Sequence, residues 1–314
     1  MLAFDIGSAR GGKLGRGINR FGIILAILGA CRMPFALAES APSHLCSRIV
    51  SLAPSLTEIA FALDLGEAVV AVTKYDNFPS SVKRLPNVGG GLDSSTELIA
   101  SFRPTIVLVL SEMATTITAL KKLGIDTLIA DHHTVSGIME SIGAIGTACG
   151  RQEKGLALRQ ERKEAIDGAI MNNVGRGHRV LVTITSAGSI ADSSNLFVSG
   201  IDGFYWELLS FTGARPVIET PTMSLSQISM EGIIASKPTV IFEVFDRKLS
   251  ESEAKTRQAW WKNWPMIPAV ASDSISILDA DYTSIPGPRF DILLREIEDF
   301  LRRKRISHEE MSPG

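Results

Sequence analysis

The chain has 314 residues, 45% of them apolar and 6% aromatic, enough apolar material for one large or two ordinary cores. A formal net charge of −2 lacks the basic footprint that nucleic-acid binding needs. Charged and apolar residues are mixed along the whole length, which excludes a disordered chain.

Residues 1–38 stand apart. Arg10, Lys13, Arg16 and Arg20 precede an apolar run at 21–30, and Ala36-Leu37-Ala38 follows. A basic segment, a short apolar core and an A-x-A site make a secretory signal peptide. The apolar run is about ten residues, too short for a membrane-spanning helix. Leu28-Gly29-Ala30-Cys31 supplies a second ending, a lipobox with Cys31 acylated, and Arg32 directly after the apolar run suits it. Either ending predicts export to the periplasm. Without residues 1–38 the chain has 27 basic and 33 acidic residues, a net charge of −6. Residues 7–14 approach a phosphate-binding loop, but Leu14 stands where the Ser or Thr that holds magnesium is required.

Short apolar runs then alternate with helix-like stretches. Strands are predicted at 49–53, 69–72, 106–110 and 127–130, with Ser55 and Glu58 in capping-box positions for the helix after the first. A helix at 137–150 closes this half. Residues 151–173 are rich in charge and strong helix formers, with a narrow apolar stripe of Leu156, Arg159, Ile166 and Ile170. A helix of this length reaches about 33 Å, enough to run along two lobes, although an ordinary surface helix fits as well. The pattern restarts with strands at 180–184, 240–244 and 276–278 and helices at 203–212 and 287–304. Continuous apolar strands separated by helices predict parallel sheets covered on both faces.

The halves repeat one another. Glu97, Arg103, Pro104 and Thr105 recur at the same spacing as Glu231, Lys237, Pro238 and Thr239, and 48–55 matches 179–186. The predicted fold is therefore α/β, two Rossmann-like lobes with parallel sheets joined by one backbone helix. The predicted partition is 1–38 signal peptide, 47–150 first lobe, 151–173 connecting helix and 178–305 second lobe.

In open α/β sheets, ligands sit beyond the carboxyl ends of the strands. The loops there carry Pro54-Ser55-Leu56, Tyr75, Gly89-Gly90-Gly91-Leu92, Glu112, Asp131, His132 and His133 from the first half. The second half adds residues 185–189, Glu243-Val244-Phe245-Asp246, Asp281 and Tyr282. Such loops suit a large, partly apolar ligand held by a few polar groups. No nucleophile elbow, metalloprotease helix or C-x-x-C pair is present, so neither a catalytic residue nor a bound cofactor or metal is expected. The His132-His133 pair is a polar loop or a ligand contact, the triple glycine a turn or a close approach. Trp260, Trp261 and Trp264 pack a helix end or stack on a flat ligand. Cys46 precedes the first strand and Cys149 ends a helix of the same half, so both fall at one end of the lobe, where oxidising export allows a disulfide.

The segments "RIVSLAPSLTEIAFALDLGEAVVAVTKYDNFP", "LPNVGGGLDSSTELIASFRPTIVLV", "LFVSGIDGFYWELLSFTGARPVI" and "DYTSIPGPRF" resemble the iron/cobalamin periplasmic-binding family. The resemblance spans about 47–303 and implies a monomeric receptor of an ABC importer for vitamin B12, siderophores or haem. The strand-end loops supply an expected ligand contact set of Tyr75, Gly91, Glu112, Asp131, His132, Phe245, Asp281 and Tyr282, and the resemblance puts Tyr75 at a ligand-facing tyrosine position. Glu97 and Glu231 are implied to dock on a permease dimer with its ATPase. Gly91, Leu110 and Leu225 stand where the B12-binding relatives place tryptophans, which leaves siderophore, haem or another corrinoid open. An exported α/β enzyme using the same cleft is the alternative.

Overall fold

Strands without polar alternation belong inside a parallel sheet, and the first half is built from four of them. The computed structural model describes residues 44–91, 93–185, 196–219 and 226–310. In it β1 (Ile49–Ser51), β2 (Val69–Ala71), β3 (Ile106–Leu110) and β4 (Thr127–Ala130) pair in parallel in the order β2-β1-β3-β4. The crossovers carry helices α1 (Pro54–Ala62), α2 (Thr96–Ser101) and α3 (Ala114–Lys122), and α4 (Val135–Ala148) follows β4. The expected signal peptide, its A-x-A site, Cys31 and residues 7–14 lie outside the described residues. So do Leu92, the 186–189 loop and Leu225.

Between the lobes runs α5 (Gln152–Asn172). The second sheet holds β5 (Arg179–Thr185), β6 (Leu196–Val198), β7 (Arg215–Pro216), β8 (Ser226–Ile228), β9 (Val240–Phe245) and β10 (Ile275–Leu278). Its order is β10-β9-β5-β6-β8, with β7 beside the first residues of β5. The β10-β9-β5 core is parallel as expected, but β6 runs antiparallel to both β5 and β8, so this sheet is mixed. Strands of two or three residues carry no period, which is why β6, β7 and β8 escape a sequence reading. Helices α6 (Phe204–Phe211), α7 (Met230–Ser236), α8 (Glu251–Trp261), α9 (Pro268–Ala271) and α10 (Phe290–Glu310) complete the lobe. Among the described residues no helix is long and apolar enough to cross a membrane.

The sequence repeat has a structural cause. Before β1, the Arg48 amide donates to Thr105 Oγ1 at 3.0 Å, and that hydroxyl donates back to the Arg48 carbonyl at 3.1 Å. In the second lobe the Arg179 amide donates to Thr239 Oγ1 at 2.9 Å, and the hydroxyl returns to the Arg179 carbonyl at 3.3 Å. Each arginine also donates to the end of the preceding helix, Arg48 to the Phe102 carbonyl at 2.7 Å and Arg179 to the Ser236 carbonyl at 3.1 Å. The basic residue that ends each helix, Arg103 or Lys237, has φ near +50° and so turns the chain into the strand.

Packing of α5 corrects the predicted stripe. Leu156 and Ile170 are exposed, whereas Gly155 and Ala169 are buried. A Cβ on Gly155 would lie 3.2 Å from the Ile142 carbonyl, so the glycine lets α5 approach α4 closely. Toward the second lobe, Arg162 Nε donates to the Pro288 carbonyl at 2.6 Å and Asn172 Nδ2 to Glu298 at 3.0 Å. One helix thus meets the first lobe through a small residue and the second through polar stems, and a hydrophobic-stripe reading misses both.

Cys46 and Cys149 are bonded, with Cα atoms 5.2 Å apart and a sequence separation of 103. The bond ties the start of β1 to the end of α4, and closing such a loop typically stabilises by about 2–4 kcal/mol. The tryptophans pack a helix end: Trp261 is buried and meets Trp260 edge to face at 4.9 Å, with Arg257 3.9 Å above the Trp260 ring.

Candidate ligand cleft

Charged side chains join the two lobes. Glu58 on α1 expresses the first lobe's side of this junction. Arg289, just before α10, donates from Nη2 to Glu58 Oε1 at 2.6 Å and from Nε to Oε2 at 2.9 Å. Its Nη1 donates to Asp281 at 2.9 Å. The guanidinium lies 3.9 Å above the Phe78 ring and 5.5 Å from the Tyr282 ring. Burial pushes Glu58 upward while Arg289 pulls it back. Burial lowers Arg289 too, but the hydrogen bonds and charges of Glu58 and Asp281 hold it above its ordinary value. Arg289 thus favours the ionised form of a carboxylate that burial disfavours.

The predicted capping box is not formed. With Pro54 opening α1, Ser55 falls inside the first turn and Ala53 is the cap, without a side-chain bond. Ser55 Oγ instead meets His132 Nδ1 at 2.7 Å, and Glu58 turns to Arg289. Tertiary partners of higher charge outcompete a local cap.

A second junction lies at the β4 end. Glu207 on α6 accepts the Val135 amide at 2.6 Å, which joins the start of α4 to the second lobe. Next to it is a pocket of about 570 Å³, lined from the first lobe by His133, Thr134 and Ser136 and from the second by Asp202, Trp206 and Glu207 among others. His133 Nδ1 bonds Asp131 at 2.7 Å. The His133 amide and ring hold the Asp131 carboxyl below its usual range, and that carboxylate raises His133.

The expected contacts divide into three groups. Tyr75 is 61% exposed after β2, and Glu112 and Asp131 are exposed after β3 and β4. Asp281 and Tyr282 are half-buried around Arg289, and the Tyr282 hydroxyl donates to Glu296 at 3.1 Å. Gly91 sits where a Cβ would come within 2.8 Å of the Leu52 carbonyl, so this position has no room for a side chain. His132 is 5% exposed, and Phe245 is fully buried beside Leu249. Glu243, expected in a strand-end loop, lies inside β9 and is fully buried. Glu58 was read from the sequence only as a helix cap, and Arg289 and Glu207 were not singled out. The available signal was one isolated charge in an apolar context on each half, with Arg289 in Pro-Gly-Pro-Arg. Among the described residues no group of three His, Cys, Asp or Glu is disposed to hold a metal ion.

Burial pushes His132 down to about 4 from an ordinary 6.5. The unfolded chain gains this proton as pH falls through 6.5, whereas the folded chain resists until about 4. The stabilisation is complete above 6.5 and lost progressively toward 4, about 3 kcal/mol in all. Urea midpoints at pH 7 and pH 4.5 are expected to differ less in His132→Gln than in the parent. Equal differences in the two proteins would contradict the assignment.

The pattern of the periplasmic binding protein family matches residues 49–282, and the chain belongs to that family. It is a solute-binding protein. It is 29% identical over 251 residues to an uncharacterized ABC transporter substrate-binding lipoprotein of Bacillus subtilis, covering 77% of this chain and 76% of the relative. A vitamin B12-binding protein of Vibrio parahaemolyticus is 24% identical, over 82% of this chain and 91% of its own. Among solved structures, the periplasmic vitamin B12 binding protein of Vibrio cholerae superposes with a TM-score of 0.71 at 21% identity, over 82% of this chain and 98% of that one, and shares its two-lobed fold.

Proposed function

We propose that the chain, exported after loss of residues 1–38 or tethered through Cys31, captures a corrinoid, ferric-siderophore or haem-type chelate between its lobes. The loaded receptor then delivers the chelate unchanged, without turnover, to an ABC permease dimer with its ATPase. The lobes in this reading are residues 47–150 and 178–305, with 151–173 between them. The observation that supports it most is a pocket of about 570 Å³ that the β4–α4 loop of one lobe and the segment from Ile201 into α6 of the other line together, next to the expected contacts Asp131 and His132 but lined by none of the eight. A site of that size, with one tryptophan and a few convergent polar groups, suits a large flat ligand.

In this reading Tyr75, Glu112, Asp131, Asp281 and Tyr282 line the cleft. Gly91 lets the backbone approach, and His132 and Phe245 support the wall from behind. Tyr75 and Tyr282 follow the strands at one edge of each sheet and offer the aromatic faces. The Tyr75→Ala, Tyr282→Ala double variant is expected to lose about 2–4 kcal/mol of ligand affinity in calorimetric titration, since buried aromatic anchors commonly contribute that much. Unchanged affinity would contradict this placement.

A further inference from the structure

We propose that His133 is an axial ligand of the captured chelate, its Nε2 binding the metal of a flat macrocycle that has an exchangeable axial position. The inference rests on reading the inter-lobe pocket as the ligand site, and it narrows the cargo to one chelate chemistry. The two neighbouring histidines differ in what they can reach. His132 is 5% exposed, its Nδ1 is 2.7 Å from Ser55 Oγ, and its Nε2 is buried. The His133 side chain is 59% exposed, and the residue lines the pocket of about 570 Å³ together with Thr134 and Ser136. Its Nδ1 lies 2.7 Å from Asp131 Oδ1, and its backbone amide donates to the same oxygen at 2.9 Å.

That carboxylate decides the tautomer. It stays ionised, since the His133 amide and ring hold it below the usual carboxylate range, and an ionised carboxylate only accepts. Nδ1 therefore carries the proton, and the lone pair of the neutral ring stands on Nε2, which makes no hydrogen bond among the described residues. A metal-ligating histidine almost always donates its other ring N–H to a carboxylate, carbonyl or water, which fixes the ring and raises its basicity. Asp131 and His133 have that arrangement, but no group of three His, Cys, Asp or Glu among the described residues could hold a bare ion. The metal must therefore arrive inside its own chelate and offer a single position, and imidazole nitrogen suits iron and its first-row neighbours. The facing wall suits a flat ring. Trp206 on α6 is half-buried and lines the pocket, and a Cβ on Gly203, the cap of that helix, would lie 3.5 Å from the His133 carbonyl. A macrocycle between the lobes is met by imidazole from one and by indole from the other. On binding, the bond from the metal to its axial water breaks and the Nε2–metal bond forms, with no change in oxidation state. A ferric siderophore, whose oxygens fill the coordination sphere, and cyanocobalamin, with both axial positions taken, gain nothing from His133.

The test varies the axial position and follows the metal. Absorption titrations of the untagged mature chain would compare haemin and aquacyanocobinamide, whose axial position is exchangeable, with cyanocobalamin, whose axial positions are filled. Bound haemin and bound cobinamide are expected to show the spectrum of a nitrogen-ligated metal. His133→Ala is expected to lose that signature and to lose at least about tenfold more affinity for these two than for cyanocobalamin, and added imidazole should restore the signature. Asp131→Asn is expected to keep the signature with binding about 10–100-fold weaker. Nitrogen ligation of only one of the two would support the inference and say which macrocycle is carried. The same spectrum and affinity in His133→Ala as in the parent would overturn the coordination and leave the pocket reading standing. Failure of all three compounds to bind would overturn the pocket reading itself, and this inference with it.

Discussion

Ligand uptake through the importer is expected to cease in the Glu97→Lys, Glu231→Lys variant, while ligand affinity changes little. The two glutamates occupy equivalent first-turn positions of α2 and α7. Both are exposed, and both carboxyls are held below their usual range, first by their own backbone amides and then by the capping serines Ser95 and Ser229. They are thus ionised and presented to solvent, one on each lobe. A helix-start carboxylate stabilises its helix by about 0.3–1 kcal/mol, which accounts for a glutamate but not for matched positions in two lobes. A pseudo-symmetric receptor meeting a two-fold permease needs matched anchors, and charge pairs at an exposed rim set orientation and encounter rate. Melting temperature is expected to fall by only a few degrees. Normal transport by the double variant would contradict the docking role.

The largest stability loss is expected at Glu243. Its Oε1 accepts Thr185 Oγ1 at 2.9 Å and Arg257 Nε at 2.7 Å, and its Oε2 accepts Trp261 Nε1 at 2.7 Å. Glu243 and Arg257 are both fully buried. Glu243→Ala removes the carboxylate and leaves the guanidinium inside the lobe without it, at a cost of about 3–5 kcal/mol. A paired Glu243→Met, Arg257→Met replacement is expected to recover much of that loss, since it removes both charges together. Urea denaturation reads both variants. A loss below about 1 kcal/mol in the single variant would contradict the network's role.

The parallel strands were legible because their apolar runs are continuous, and the lobe repeat because Arg48–Thr105 and Arg179–Thr239 make the same hydrogen-bonded corner. The connecting helix was legible in extent but not in face. Its contact surface is made by Gly155 and Ala169, small residues that no hydrophobic period reveals. At the proposed cleft, the positions of Tyr75 and Asp131 after strand ends were legible. The junction between lobes was not. Glu58 reads locally as a helix cap, and its partner Arg289 lies 231 residues away. Phe245 shows the opposite error: as the last residue of β9 it looked terminal, yet β10 and α8 cover it.

Ligand recovery after saturation tests the central claim most directly. The mature chain would be loaded with cyanocobalamin, freed of excess by gel filtration, denatured, and the released compound quantified by its absorption spectrum and mass. The account predicts one corrinoid per chain, chemically unchanged, with loading weakened by Tyr75→Ala, Tyr282→Ala. No retained ligand with cyanocobalamin, haem or a ferric siderophore, or recovery of a converted product, would contradict it.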